Sequence, residues 1–397
     1  MAPEEEGRYD FPRTMELLEA DVAEGLFTLG AQVAVSFEGE RVFETCLGDD
    51  GFGRPVELDT IFRVYCTIKP VTAMAIANLV DAGGVELDRP LVEVLGTRPV
   101  LERGVTARQL LNHTAGLHNL SAFSMELVPP EDRRRIIDRQ LPPPGWHVGR
   151  DAGYSEFAAW TMLGELLETV TGEPLREHLR RTVLDPLGMH DTWIGMTPAE
   201  YAANVGRMGV NVDLRGFRPF PMLMERSERV CVETNPAHGG YTTARDLDRL
   251  FCGLLQVLGG GSVDGLPSPA TMAQFCSTAR PSSFDVVLDR RCDYGLGFMT
   301  NLADHYFGGR CSPESFGHSG NVGSSFAFAD PMHHLSVAVV FNGLVDHESA
   351  FVRRPALVRA MYLDLEQVDD EDAEPGDTEK VDTGRRRGLL RSLRRSR

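Results

Sequence analysis

One pair of residues in this 397-residue chain has the types and the spacing for nucleophilic chemistry. Cys66 and Lys69 lie three positions apart in VYCTIKP (64–70), directly before the alanine-rich run VTAMAIANLV. The apolar run predicts a buried helix that starts near Cys66, and residues three apart share a helical face. A thiol at a helix N-terminus beside a cation is easier to ionise than a free cysteine. The pair therefore predicts an activated nucleophile.

The same segment has a second interpretation. Cys66 is then a small buried residue and Lys69 a lysine whose stem packs on apolar surface. In either case Pro70 has no N–H, so we expect the carbonyl of Cys66 to lack its helical partner and the first turn to stay open.

Composition and charge limit the classes of partner. The chain is 42% apolar and 25% charged, and its formal net charge is −18. This acidity disfavours nucleic acid or an anionic membrane as partner of the folded body. No apolar run reaches the roughly 18 residues that span a bilayer. The first residues, MAPEEEGRYDF, are acidic where a signal peptide begins basic, so we expect a cytoplasmic protein.

The cysteines predict reduced thiols rather than a disulfide framework, because an odd number occurs in a large chain without a secretion signal. None has the spacing of zinc ligands, so we expect no metal. A redox pair of Cys66 with Cys311 is an alternative for those two thiols. The seven are Cys46, Cys66, Cys231, Cys252, Cys276, Cys292 and Cys311.

The elements that would position Cys66 and Lys69 come from both ends of the chain. An amphipathic helix is predicted over 12–29 and a hairpin over 31–48, turning at 38–40. Strands are predicted in YGLGFM (294–299), SSFAFADP (324–331) and LSVAVVFNG (335–343), before a helix over 348–365. Helices predominate between about 69 and 258. The pattern indicates an α+β fold, with one sheet built from the two ends and an inserted helical lobe.

The last residues have a different character. Acidic residues dominate 366–382 and arginines dominate 385–397. Opposite charge blocks predict a disordered tail over 366–397. A short basic amphipathic helix that touches a membrane or a partner is the alternative. The folded unit is then 1–365, with a sheet lobe of about 1–85 and 290–365 and a helical lobe of about 86–289.

Six further segments follow Cys-x-x-Lys in a recognisable order. The set resembles the superfamily of serine β-lactamases, penicillin-binding proteins and esterases, in its class C β-lactamase-like branch, where the first motif is Ser-x-x-Lys. The resemblance implies an antiparallel sheet flanked by helices, an all-helical lobe and an active site between them. The segments are LLNHTAGL (110–117), GYS (153–155), LDPLGMHDTW (184–193), HGGYTTARDL (238–247), YGLGF (294–298) and FGHSGNVGSSFAFADP (316–331).

The resemblance implies roles for three catalytic residues. Cys66 stands where the family's acylated serine stands. Lys69 keeps the motif's lysine, which orders protons and positive charge. Tyr154 stands where the tyrosine of Tyr-x-Asn acts first as general base and later as acid.

Substrate-binding roles follow from the edge-strand motif. His318 and Gly320 stand where the family has the Lys and Gly of Lys-Thr-Gly, and the N–H of Asn321 would complete an oxyanion hole with that of Cys66. We expect His318 to bind a substrate carboxylate or carbonyl and to tune Tyr154. The other motif histidines, His113 and His238, are expected to be scaffold.

Two departures from the family pattern matter. Glu156 replaces the Asn of Tyr-x-Asn, and its carboxylate would either pair with Lys69 or point to solvent. The full β-lactamase pattern is therefore absent. Cys66 in place of serine would give a thioester, which reacts with amines in preference to water more strongly than an oxygen ester does.

We therefore expect an enzyme that forms a thioester on Cys66 from an ester, amide or activated acyl donor. It would pass the acyl group to a small-molecule amine or alcohol without metal or organic cofactor. An esterase- or amidase-type hydrolase is the alternative within enzymes, and a non-catalytic binding protein is the alternative of another class. Specificity is expected in 118–150 and 205–235.

Overall fold

A large antiparallel sheet forms the centre of the molecule, whose computed structural model describes residues 9–369. The strands are β1 Gly30–Phe37, β2 Glu40–Gly48, β3 Phe62–Arg63, β4 Trp193–Ile194, β5 Val212–Asp213, β6 Phe220–Pro221, β7 Gly240–Thr242, β8 Arg280–Asp285, β9 Arg290–Tyr294, β10 Met299–Thr300, β11 Phe316–Ser319, β12 Ser325–Asp330, β13 Leu335–Phe341 and β14 Gly343–Leu344. Eight of them pair in the order β2-β1-β13-β12-β11-β10-β9-β8. Two small sheets, β3-β7-β4 and β14-β5-β6, lie beside it.

The helices occupy both sides of this sheet and the inserted lobe. They are α1 Pro12–Glu24, α2 Lys69–Asp81, α3 Val92–Leu95, α4 Ala107–Leu111, α5 Ala122–Glu126, α6 Pro130–Asp138, α7 Ala158–Thr171, α8 Leu175–Leu179, α9 Pro198–Asn204, α10 Glu228–Cys231, α11 Ala244–Leu258, α12 Pro269–Cys276 and α13 His347–Asp369. Helices α1 and α13 pack on each other, and α11 packs on β1, β12 and β13. The predicted α+β architecture, with a sheet from both chain ends and an inserted helical lobe, is confirmed.

The sheet and its hairpin follow the sequence pattern closely. Ala31, Val33 and Val35 of β1 belong to one hydrophobic cluster and Ala34 belongs to another, because the strand is covered on both faces. The predicted turn at 38–40 joins β1 to β2 through Glu38 and Gly39, which both have positive φ (53° and 84°). This is the conformation that a two-residue hairpin turn requires. Strand β8 brings the sheet forward to residue 280, ten residues earlier than expected.

Three predicted boundaries were wrong. Helix α1 ends at Glu24 rather than residue 29, because Gly25 adopts a left-handed conformation and its N–H closes the last turn. YGLGFM is not a strand: its ends belong to β9 and β10, and the residues between form the turn. Helix α13 continues to Asp369, and Glu366, expected in the tail, pairs with Arg310 at 2.6 Å. Residues 370–397 of the predicted tail lie outside the described residues.

A buried carboxylate joins α11 to the centre of the sheet. Ser36 on β1 lies directly opposite Ser336 on β13, and both hydroxyls donate to Asp248, at 2.5 and 2.7 Å. Arg41 pairs with the same carboxylate at 3.1 Å. The three groups satisfy a charge that has no exposure to solvent.

Asp248→Ala should therefore lower the free energy of unfolding by about 3 kcal/mol, since it leaves two buried hydroxyls without an acceptor and removes the partner of Arg41. Urea denaturation measures the change. The matched control is Asp88→Ala, which breaks an ion pair between Asp88 and Arg108. The side chain of Asp88 is 71% exposed, so this change should cost less than about 1 kcal/mol. Equal losses in the two variants would contradict the anchoring role of Asp248.

Candidate active site

Cys66 lies in a tight turn that leads directly into α2. Residues Tyr65–Ile68 form a 3₁₀ turn, and the N–H of Lys69 donates to the carbonyl of Cys66. The expectation that this carbonyl lacks a partner was wrong, because the turn uses i to i+3 hydrogen bonds, which bypass Pro70. Tyr65 has φ +49°, a conformation that is strained for a bulky residue. Cys66, the candidate nucleophile, thus lies in a sharp, strained turn (65–68), called below the Cys66 turn.

Lys69 is fully buried and its ammonium has three acceptors around it. Nζ lies 3.2 Å from Sγ of Cys66 and 3.3 Å from the carbonyl oxygen of Glu156, and it also donates to the carbonyl oxygen of Ala237. The rings of Tyr154 and Trp160 cover the charge, with centroids 5.3 and 5.4 Å from Nζ. The predicted Cys66–Lys69 pair is therefore formed.

The three contacts assign the protons of this amine. Carbonyl oxygens only accept, so two N–H bonds of Lys69 are committed to Glu156 and Ala237 in either charge state. The third direction of Nζ faces the sulfur. A neutral Lys69 accepts the thiol proton there, and a protonated Lys69 donates to the thiolate. Burial lowers the pKa of Lys69, although the nearby Cys66 opposes that shift.

Tyr154 is the second titratable group near Cys66, and its ring also covers the ammonium of Lys69. Burial, together with the nearby Cys66, raises the pKa of Tyr154 well above its ordinary value. The backbone N–H of Tyr154 donates to the buried Asp285 at 3.0 Å, which fixes the loop that carries it. At neutral pH Tyr154 is therefore a phenol that donates a proton, whereas Lys69 has the lowered pKa that suits a base.

The N–H groups of Cys66 and Asn321 are available for an oxyanion. Within residues 9–369, no protein acceptor takes either of them. The Cys66 turn and the end of β11 pack so closely that a Cβ on Gly320 would lie 2.4 Å from the carbonyl oxygen of Val64. Val322, just beyond, is held at φ +44°, which is rare for a β-branched residue. Both segments that would carry an oxyanion donor are thus strained.

Hydroxyl groups tie those two segments together. The hydroxyl of Ser325 on β12 donates to the carbonyl of Val64 at 2.7 Å, so it must accept the hydroxyl of Thr67, 2.9 Å away. All of these atoms are buried. The spacing between the Cys66 turn and the sheet is therefore fixed by packed, fully paired groups.

His318 is placed at the site but does not face it with a free nitrogen. Nδ1 donates to the carbonyl of Ser319 at 3.0 Å, and Nε2 lies 3.0 Å from the hydroxyl of Tyr294. Burial and the charge of Lys69 lower the pKa of His318 to about 3, so the ring is neutral. These contacts favour a positioning role over the expected contact with substrate.

Glu156 takes neither of its two expected positions. Its carboxylate accepts the N–H of Ala122 at 2.8 Å, at the start of α5, and Lys69 reaches its backbone carbonyl instead. The residue is half-buried. Glu156 thus fixes α5, which lies in the segment expected to carry specificity, to the loop of Tyr154.

Sequence reasoning missed a buried arginine, Arg63, two residues before the start of the Cys66 turn. Arg63 pairs with Glu126 of α5 and lies 3.5 Å from Glu225, whose carboxylate accepts the hydroxyl of Tyr65 at 2.6 Å. These contacts hold α5 against Arg63, and they hold the segment 223–226 against Arg63 and against Tyr65, which precedes Cys66. The signal was a charged residue in an otherwise apolar strand, FRV (62–64).

The structure also places His238 and the other cysteines. His238 is buried beside Glu126, and burial lowers its pKa to about 4. All seven cysteines are free thiols. Cys311 is buried beside Tyr362, where desolvation raises its pKa to about 12, so the alternative of a redox pair gains no support. In the described part of the chain, no His, Cys, Asp and Glu cluster could hold a metal ion, and no helix is long and apolar enough to cross a bilayer.

The family is shown by comparison with known proteins. The beta-lactamase family model matches residues 18–361, and the chain belongs to that family. Esterase EstB from Burkholderia gladioli is 31% identical over 205 residues, which are 44% of this chain and 49% of the esterase. The chain thus matches about half of that relative's length.

Solved structures extend the likeness over the whole fold. A penicillin-binding protein homologue from Caulobacter crescentus is 28% identical, with a TM-score of 0.72 over 89% of this chain and 97% of that one. EstCE1, described as a hydrolase with promiscuous acyltransferase activity, has a TM-score of 0.72 at 20% identity over 87% of this chain and 98% of its own. The second likeness shows the fold alone.

Lys69→Met should slow alkylation of Cys66 by iodoacetamide at neutral pH roughly tenfold or more, because the thiol loses its proton acceptor. Intact-protein mass spectrometry over time gives the rate, and Cys66→Ala identifies the fast thiol among the seven. Methionine keeps most of the buried stem, so circular dichroism should show a folded variant. An unchanged alkylation rate would contradict the assignment of Lys69.

His318→Gln should change how stability depends on pH. A neutral buried histidine contributes stability that is present above its unfolded pKa of about 6.5 and is lost as the pH falls towards the folded value of about 3. As the pH falls from about 6 to about 4, the free energy of unfolding should therefore decrease less steeply in the variant than in the wild type. The two slopes should differ by up to about 1.4 kcal/mol per pH unit. Urea denaturation across this range measures the slope, and identical slopes would contradict the buried neutral state.

Proposed function

We propose that this chain is an acyltransferase that forms a thioester on Cys66 and passes the acyl group to a small-molecule amine or alcohol. The observation that carries the proposal is the contact of 3.2 Å between Nζ of Lys69 and Sγ of Cys66. The two carbonyls that hold the other N–H bonds of Lys69 aim its remaining position at the sulfur. Such an arrangement generates the nucleophile that covalent catalysis requires.

Acylation would use the groups that surround the sulfur. Sγ of Cys66 attacks the acyl carbon of an ester, amide or activated donor while the thiol proton passes to Lys69. The carbonyl oxygen of the acyl donor becomes an oxyanion, which accepts hydrogen bonds from the N–H groups of Cys66 and Asn321. When the tetrahedral species collapses, the bond to the leaving group breaks and Tyr154 donates a proton to that group. Lys69 returns its proton to the tyrosine oxygen.

Deacylation by an acceptor would repeat these steps in reverse. The amine or alcohol attacks the thioester carbon, loses its proton through Tyr154 to Lys69, and the sulfur leaves as a thiolate that Lys69 protonates. The sulfur favours transfer over hydrolysis, because thioesters discriminate more strongly between amines and water than oxygen esters do. Esterase EstB and the acyltransferase activity named for EstCE1 support acyl chemistry on this fold.

The experiment described below distinguishes this acyltransferase from two alternatives, a hydrolase and a binding protein. A plain esterase or amidase would use the same acyl-enzyme with water as acceptor. A binding protein would use neither Lys69 nor Tyr154 chemically. The seven free thiols support a reducing compartment, so we propose the cytoplasm as the location of the reaction.

Cys66→Ser provides the direct comparison of transfer with hydrolysis. After mixing with p-nitrophenyl acetate, the wild type should show an acetyl adduct that glycylglycine or another amine removes faster than water does. Cys66→Ser should still acylate, more slowly, and its ratio of aminolysis to hydrolysis should fall roughly tenfold or more.

Cys66→Ala is the blank for this experiment and should form no adduct. Turnover of the wild type that is indifferent to amines would identify a hydrolase. Absence of an adduct with p-nitrophenyl, thiophenyl and amide donors alike would leave the binding protein as the interpretation.

A further inference from the structure

A chain of hydrogen bonds runs behind the site through three buried side chains. The N–H of Ser155 donates to Nδ1 of His113 at 3.0 Å, and Nε2 of His113 lies 3.2 Å from the hydroxyl of Tyr294. That hydroxyl lies 3.0 Å from Nε2 of His318, whose Nδ1 is 3.0 Å from the carbonyl of Ser319. The three side chains have at most 1% of their surface exposed.

The two ends fix the direction of every bond in the chain. A backbone N–H only donates, so Nδ1 of His113 is the acceptor and its Nε2 carries the proton. A carbonyl only accepts, so Nδ1 of His318 carries the proton and its Nε2 accepts. The hydroxyl of Tyr294 therefore accepts from His113 and donates to His318. Each group supplies one proton, and burial keeps both rings neutral by lowering their pKa values.

Within this chain of hydrogen bonds, Tyr294 joins the half that contains His113 to the half that contains His318. Its ring lies at the end of β9, 4.8 Å from the ring of His113, and it meets the ring of His318 edge-on. Without its hydroxyl, one buried N–H and one buried ring nitrogen would lose their partners at once. No other hydrogen bond in the described structure joins the side chains of His113 and His318.

The chain of hydrogen bonds ends on two backbone segments, and the proposed reaction depends on how these two segments are positioned relative to each other. Ser155 lies between Tyr154, the proton donor, and Glu156, whose carbonyl holds Lys69. Ser319 is the last residue of β11 and leads through Gly320 to the N–H of Asn321. These hydrogen bonds thus set the spacing between the loop of Tyr154–Glu156, called the Tyr154 loop, and the end of β11 with Asn321, called the oxyanion strand.

We propose that Tyr294 is a positioning residue, whose hydroxyl holds the oxyanion strand at the correct distance from the Tyr154 loop without touching substrate. This inference rests on the proposed function, because it concerns the acylation of Cys66. A displacement of about 1 Å in such a site lowers rates by roughly a hundredfold. The hydroxyl therefore sets the rate of acylation rather than the reactivity of the thiol.

Tyr294→Phe tests this through two reactions of the same sulfur in the full-length protein. Alkylation by iodoacetamide requires the thiol and Lys69 but forms no oxyanion. Acylation by p-nitrophenyl acetate requires the thiol and Lys69 and also forms an oxyanion that must be stabilised. The variant should acylate roughly ten- to a hundredfold more slowly, while its alkylation rate stays within about twofold of the wild type. Stopped-flow release of p-nitrophenolate and mass spectrometry measure the two rates.

Tyr362→Phe is the matched control. It also removes a buried hydroxyl that donates to a buried acceptor, Asp330 at 2.5 Å, and it should lose stability while keeping the wild-type rate of acylation. His113→Phe breaks the same chain at the next residue and must show the same split between acylation and alkylation as Tyr294→Phe. It therefore keeps the test decisive if Tyr294→Phe does not fold.

The outcomes separate this inference from the proposed function. If the wild type acylates and Tyr294→Phe acylates equally fast, the positioning role is overturned and the acyl-enzyme stands. If Tyr294→Phe loses alkylation as well as acylation, the hydroxyl supports the thiol itself and the inference is again overturned. If wild-type Cys66 alkylates but no donor acylates it, the proposed function fails first.

Discussion

The burial of one ammonium group is the constraint on which the site depends. A charge removed from water costs several kcal/mol unless hydrogen bonds and opposite charge replace its solvation. Lys69 obtains those contacts from Cys66, three residues before it, and from two distant segments, at Glu156 in the loop of Tyr154 and at Ala237 before β7. The same contacts that make the charge tolerable hold these three segments together. Stability and reactivity thus share one set of atoms.

The second constraint is the close approach of backbone to backbone. The end of β11 reaches the Cys66 turn only because Gly320 has no side chain, and Ser325 and Thr67 pair across the junction. Tyr65 and Val322, on the two sides, hold strained conformations that the packing imposes. Among residues 9–369, the N–H groups of Cys66 and Asn321 at this junction have no protein acceptor, and free donors of this kind are what electrostatic catalysis uses.

Much of this arrangement could be predicted from the sequence because its signals are local. The Cys66–Lys69 pair follows from spacing on one helical turn, and the β1–β2 hairpin follows from its turn residues. The place of Gly320 followed from the resemblance to a known motif. Each depends on a few neighbouring residues, so the pattern contains the information.

Other features could not be predicted because they depend on distant partners. The carboxylate of Glu156 binds the N–H of Ala122, and nothing near residue 156 indicates where α5 begins. His318 lost its expected free nitrogen to Tyr294, which lies 24 residues earlier. YGLGFM has the composition of a strand, yet the sheet uses its glycines as a turn. Tertiary contacts decided these three cases.

The most direct measurement locates the acyl group itself. The wild type would be mixed with p-nitrophenyl acetate, quenched in acid, digested and sequenced by tandem mass spectrometry, with and without neutral hydroxylamine. The account predicts an acetyl group on the peptide that contains Cys66, removed by hydroxylamine as a thioester is. An acetyl group on Lys69, Tyr154 or a serine, with Cys66 unmodified, would contradict it.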